Sequence, residues 1–137
     1  MNPKVNFSEF GKNYYLRHIR LIREFSLQAN EALLQNDPKS CSFYLTRAHR
    51  IVKGINPFGK YLTESDRVGL SFAQNRLKKL FAKIPSQIDS MEIDTTRNLI
   101  EEIIVETVDL EKDVLGISFA QLTQKVLIEN NHNPRRV

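Results

Sequence analysis

The sequence predicts an all-α protein, an antiparallel four-helix bundle with an additional C-terminal helix, on three observations. Apolar residues recur at helical spacing through most of the chain. The five Gly and five Pro fall almost entirely between those stretches. No run of alternating β-branched residues is bounded by hairpin turns. Short connections between long amphipathic helices favour antiparallel neighbours. At 137 residues and 41% apolar content, the chain has one domain's length and buries roughly two-thirds of its unfolded surface. A single domain over residues 1–137 is expected, frayed at about 1–7 and 131–137.

The first helix is predicted from about Ser8 to Gln35, stopped by Asn36-Asp37-Pro38. At about 100° per residue, Tyr14, Tyr15, Ile19, Leu21, Ile22, Phe25, Ala29, Ala32 and Leu33 share one broad face. The second helix starts with Asp37 as N-cap and Pro38 at the first helical position, and ends at Gly54. Tyr44, Leu45, Ala48, Ile51, Val52 and Ile55 form its inward face. After the loop Asn56-Pro57-Phe58-Gly59, Thr63 and Asp66 resemble a capping box. They open a third helix that runs to Ile84, before Pro85, with Ala73, Leu77, Leu80, Phe81 and Ile84 inward. The fourth begins near Asp94, carries Leu99, Ile100, Ile103, Ile104 and Leu110, and breaks at Gly116. Ser118 is the expected cap of a fifth helix through about Asn130.

Several classes of function find no support. Cys41 is the single cysteine, so no intramolecular disulfide forms, and a reducing compartment is expected. MNPKVNFSEFGK has no apolar run suited to a signal peptide, and no stretch is long and apolar enough to span a membrane. The expected location is cytoplasmic, with no membrane partner. His18, His49 and His132 lie far apart, and the two Glu-x-x-His pairs that a bundle metal site needs on separate helices are not both present. No metal and no cofactor are expected. Gly54, Gly59 and Gly69 are isolated rather than gathered in a phosphate loop, and no serine has a nucleophile's context. None of the three histidines has an Arg five to seven positions upstream, the spacing of compact helical ribonucleases. The expectation is a protein that is not an enzyme.

The net charge of +4 divides unevenly. Residues 1–85 carry fifteen Lys/Arg against six Asp/Glu, a balance of +9; residues 86–137 carry five against ten, a balance of −5. Either an anionic partner meets the first part, or helices of opposite sign lie side by side.

Function is then sought in apolar residues that the inward stripes do not need. Phe43 points away from the stripe of the second helix, flanked by Lys39, Arg47 and Arg50. Val68 and Phe72 share a face of the third helix with Arg76, Lys79 and Lys83. Leu16, Leu27 and Leu34 form a second stripe on the first helix, nearly opposite Phe25 and Ala29. Phe43, Arg47, Val68, Phe72, Leu16, Leu27 and Leu34 are therefore the candidate partner-binding residues, the competing reading being burial against other helices. An apolar patch with a basic rim suits an amphipathic partner segment. The same aromatics among Lys12, Arg17, Arg20, Arg23, Lys78, Lys79 and Lys83 also suit weak, non-specific nucleic-acid binding, although no helix-turn-helix or RNA-binding motif is present.

The stretch Phe25–Ile55, FSLQANEALLQNDPKSCSFYLTRAHRIVKGI, resembles the FliS family of flagellin export chaperones. The resemblance lies in Ala29, the Asn36-Asp37 turn, Arg47-Ala48 and Ile51, and continues in the length and order of the helices through about residues 14–110. Tyr14-Tyr15-Leu16 stands where the family has a Leu-Tyr pair, Asn56–Lys60 replaces its glycine-rich loop, and the Trp that tends to end its fourth helix is missing. The resemblance implies an export chaperone that keeps a secreted, self-assembling, flagellin-like subunit soluble by binding its amphipathic segment. A nucleic-acid-associated helical protein, or a viral or toxin-system adaptor acting by protein contact, are the alternatives. Oligomeric state stays open.

Overall fold

The computed structural model describes residues 6–88 and 92–115. Within them are four helices and no strand: α1 (Glu9–Leu34), α2 (Pro38–Gly54), α3 (Glu64–Phe81) and α4 (Ile93–Leu115). The expected break at Gly116, the fifth helix from Ser118 and the C-terminal tail lie outside the described residues.

Local chemistry sets the boundaries. Ser8 caps α1, its Oγ accepting from the Gly11 N–H at 3.0 Å. At the other end Asn36 takes the left-handed backbone (φ 57°), which an asparagine tolerates better than most residues. The Asn36 N–H then donates to the Leu33 carbonyl and the Asp37 N–H to the Ala32 carbonyl, at 3.0 and 2.8 Å. This paired closure satisfies carbonyls that a helix end leaves open. Asp37 caps α2 in turn, accepting from the Ser40 N–H at 3.1 Å, with Pro38 in the first turn. One residue thus ends one helix and starts the next.

α3 stops at Phe81 rather than the expected Ile84. The Lys83 and Ile84 N–H groups donate to Leu80 and Phe81, three residues back, so the chain tightens out of the α-helix there. Pro85 explains the difference, because the residue before a proline is driven from helical backbone.

The sequence assigns Asp66 to a capping box, and the structure gives it a second task. The Thr63 N–H donates to its carboxylate at 2.9 Å, while the Asp66 N–H donates to Thr63 Oγ1 at 3.1 Å. The same carboxylate accepts from the Ser8 N–H at 2.9 Å and the Ser8 hydroxyl at 2.5 Å. A fully buried Asp66 therefore ties the starts of α1 and α3 together. A Cβ at Gly11 would overlap this carboxylate, so the first turn of α1 approaches α3 closely only as glycine. Burial pushes the Asp66 carboxyl up, and the hydrogen bonds from Ser8 and Thr63 outweigh that and hold it below the usual range.

One buried apolar cluster draws on all four helices, including Ile19, Ile22, Val52, Leu70, Leu77, Ile100, Ile103 and Leu110. Three expectations about the inward faces change. Leu21 is exposed, Phe25 is only half-buried, and Leu16 is 7% exposed and belongs to the core. The reason is that α4 lies along the first half of α1. The Tyr15 hydroxyl donates to the Leu110 carbonyl at 3.2 Å, and Arg20 and Arg23 reach Glu111. That placement covers the flank bearing Leu16.

The charge division resolves in the same contacts. Glu111 is buried and accepts from Arg20 at 3.2 Å and Arg23 at 2.7 Å. Glu106, also buried, is gripped by two nitrogens of Arg76 from α3. Acidic α4 thus lies against basic residues of α1 and α3.

Asp66→Ala leaves the Ser8 and Thr63 donors without their acceptor, and unfolding by denaturant should show a loss of about 2–4 kcal/mol. Because the folded carboxyl titrates below its unfolded value of about 3.9, its contribution is complete above that pH and lost as pH falls through the folded value. The stability gap between wild type and Asp66→Asn should narrow below about pH 4; a gap independent of pH contradicts the assignment.

Candidate functional site

The outer face of α2 is the most distinctive surface. Between Pro38 and Gly54 this helix carries Lys39, Arg47, Arg50 and Lys53 and no Asp or Glu. None of the four enters an ion pair among the described residues. Phe43 stands out of this face at 53% exposure. The Arg47 guanidinium lies 5.2 Å from the Phe43 ring centre and 5.5 Å from that of Phe25 on α1, between the two rings. Tyr44 meets Phe43 edge-on at 5.4 Å. A guanidinium held between two rings keeps its charge while losing rotamer freedom, and arginine and aromatic rings are what interface hot spots are built from.

Around the same helix, on its α3 side, runs a groove of about 380 Å³. Leu45, Phe81, Ile84 and Ile88 supply apolar wall, Ser42, Thr46 and Ser86 supply hydroxyls, and Arg50, Lys53 and His49 supply the charge. The His49 ring stacks on Phe81 at 5.1 Å, only 7° from parallel. Burial lowers the His49 pKa, and Lys53 and Lys78 lower it further, so the imidazole itself registers the cationic surroundings. A second cleft, of about 580 Å³, separates α3 from α4, but Arg76, Lys79 and Lys83 there face Glu101, Glu102 and Glu106. It thus holds charges of both signs, with Arg76 and Glu106 paired across it.

Phe43 and Arg47 are thus brought together on α2, while Val68, Phe72, Leu27 and Leu34 lie on other helices. Val68 is half-exposed on α3; Phe72 is packed against the core with Arg76 5.5 Å from its ring centre, so it is not the exposed anchor expected. Leu27 and Leu34 are half-exposed on α1. Leu16 is corrected to core, because α4 covers that part of the helix.

Sequence reasoning missed two features. The first is an aromatic cluster at the start of α1 and the loop before α3. Phe10 meets Tyr61 edge-on at 5.7 Å and stacks with Tyr14 at 6.4 Å, and the Asn56 N–H donates to the Tyr14 hydroxyl at 3.0 Å. Phe58 and Tyr61 are the most exposed of these rings, with Arg67 and Lys60 beside them. Two aromatics in a short polar loop were the signal. The second is the groove, for which a carboxylate-free second helix was the signal.

Cys41 is buried, and burial, aided by Asp37, pushes its thiol up to about 11, which disfavours a nucleophilic thiolate. Among the described residues no group of three His, Cys, Asp or Glu is placed to hold a metal ion. Nor, among them, is any helix long and apolar enough to cross a membrane. Comparisons with family models, with curated proteins and with solved structures return no match for this chain.

Phe43→Ala should change unfolding stability by less than about 1 kcal/mol, since its ring is largely in water. Phe25→Ala and Phe72→Ala, truncating half-buried rings, should each cost about 1–3 kcal/mol, below the full core value. Equal losses at all three positions would place Phe43 in the core.

Proposed function

We propose that this chain is a protein-binding export chaperone, which keeps a secreted, self-assembling subunit soluble by holding its amphipathic segment. Its four helices act as an antiparallel bundle, extended by the C-terminal helix that the sequence predicts. The protein works in the cytoplasm and by contact alone, with no covalent step and no cofactor.

The observation that carries the reading is the Phe25–Arg47–Phe43 stack on cationic α2. Exposing a large ring to water is unfavourable unless a partner covers it, and this ring is pre-positioned by its neighbours. The fold does not need it there, because α2 already buries Cys41, Leu45, Ala48 and Val52. An amphipathic client segment would cover Phe43 with apolar side chains and in return lose the surface through which it self-assembles. The flagellin-like client class rests on the sequence resemblance to the FliS family.

The unpaired cations of α2 support a second reading, non-specific binding to nucleic acid. Such binding should collapse between low and physiological salt, because it depends on counterion release.

Light scattering of polymerising flagellin tests the proposal. Equimolar wild-type chain should suppress the growth of scattering. Phe43→Ala should need roughly thirtyfold more protein for the same effect, as an anchor worth about 2 kcal/mol requires. Polymerisation that proceeds unchanged with the wild-type chain contradicts the flagellin-like assignment.

A further inference from the structure

We infer that the groove between α2 and the end of α3 seats an acidic amphipathic segment of a protein partner, with apolar side chains on the half-buried Ile84 and Ile88 and carboxylates toward Arg50 and Lys53. The inference rests on the protein-binding reading above and adds to it the seat and the chemistry of the segment.

Charge complementarity carries the argument. The described wall of this groove holds Arg50, Lys53 and His49 without a carboxylate. Neither Arg50 nor Lys53 enters an ion pair among the described residues. The α3–α4 cleft is larger, yet a ligand of either sign would there meet charges of its own sign as well as the opposite one. In the α2–α3 groove an incoming carboxylate meets no carboxylate of the described wall. The apolar wall decides between classes of anion. A phosphodiester backbone has no continuous apolar stripe to lay on Ile84 and Ile88, whereas an amphipathic helix presents one beside its charged face. Phe43 and Arg50 share the exposed side of α2, so a segment in the groove runs next to the exposed ring.

The test uses the full chain and three labelled amphipathic helical peptides with one apolar face and polar faces of Glu, Gln or Lys. Fluorescence anisotropy at physiological salt should rank them Glu, then Gln, then Lys, with at least about a tenfold gap between the Glu and Lys peptides. Arg50→Glu combined with Lys53→Glu should reverse that preference. Arg50→Lys, which keeps the charge, should retain it. Melting curves establish that the variants fold, as expected for exposed residues without ion pairs. Three outcomes overturn the inference. One is equal affinity for all three peptides. Another is a Glu-peptide affinity untouched by the charge reversal. The third is displacement of the Glu peptide by an unstructured oligonucleotide at lower concentration. The flagellin scattering assay with Phe43→Ala is read without groove variants, so it reports separately on the reading beneath.

Discussion

Glu106 and Glu111 are two carboxylates in the interior of α4, and a buried carboxylate without a partner costs several kcal/mol. The placement of α4 answers that cost while it buries Ile100, Ile103 and Leu110 in the shared core. Arg76 of α3 meets Glu106 with two nitrogens, and Arg20 and Arg23 of α1 converge on Glu111. The pairs are asymmetric. The carboxylates are almost fully enclosed, whereas Arg20 and Arg76 keep about half of their side-chain surface in water, at 52% and 47%. Solvent screening therefore discounts them, and Arg23, the more sheltered donor at 21%, holds Glu111 most firmly. Burial would push Glu111 up, and these arginines pull it below the usual range, so the carboxylate stays charged when buried. The same geometry places Tyr15 under α4, where burial and then Asp113 and Glu106 raise its pKa and leave the phenol as a donor to Leu110.

These pairs also decide which positive charges remain for other work. Arg20, Arg23 and Arg76 pair with Glu111 and Glu106 of α4, and Lys79 and Lys83 line the α3–α4 cleft together with Glu101 and Glu102. Among the described residues, α2 has no acidic face turned toward it in this way, and its cations form no ion pair. The exposed Phe43, the guanidinium stacked on it and the groove beside it all belong to that one helix.

Helix ends were legible because their signals are local. Asp37 with Pro38, Thr63 with Asp66, and Pro85 each act within a few residues, and the boundaries of α1 and α2 and the start of α4 fall within a residue or two of those expected. Long-range roles were not legible. Ser8 and Asp66 are 58 positions apart, and nothing in either neighbourhood announces that one carboxylate caps two helices. Helical angle showed that Leu16 lies off the central stripe, but not that α4 covers that flank while Leu21 faces water. At the candidate site Phe43 and Arg47 were readable as surplus to the α2 stripe, whereas Phe72 was misjudged because half-burial cannot be read from angle. The cationic groove was hidden by averaging charge over residues 1–85, when the informative unit was one helix.

The central claim is that cations facing α4 hold the fold, whereas those on α2 serve a partner. Thermal unfolding of the isolated protein tests it directly, by comparing Arg23→Gln with the double variant Arg50→Gln, Lys53→Gln. Arg23→Gln should lower the melting temperature by several degrees, since it strips the best donor from a buried carboxylate. The α2 double variant should melt at the wild-type temperature or slightly above it, because it removes like charges that repel one another. Equal losses for the two, or a larger loss for the α2 variant, would mean that the cations of α2 are structural and would contradict the account.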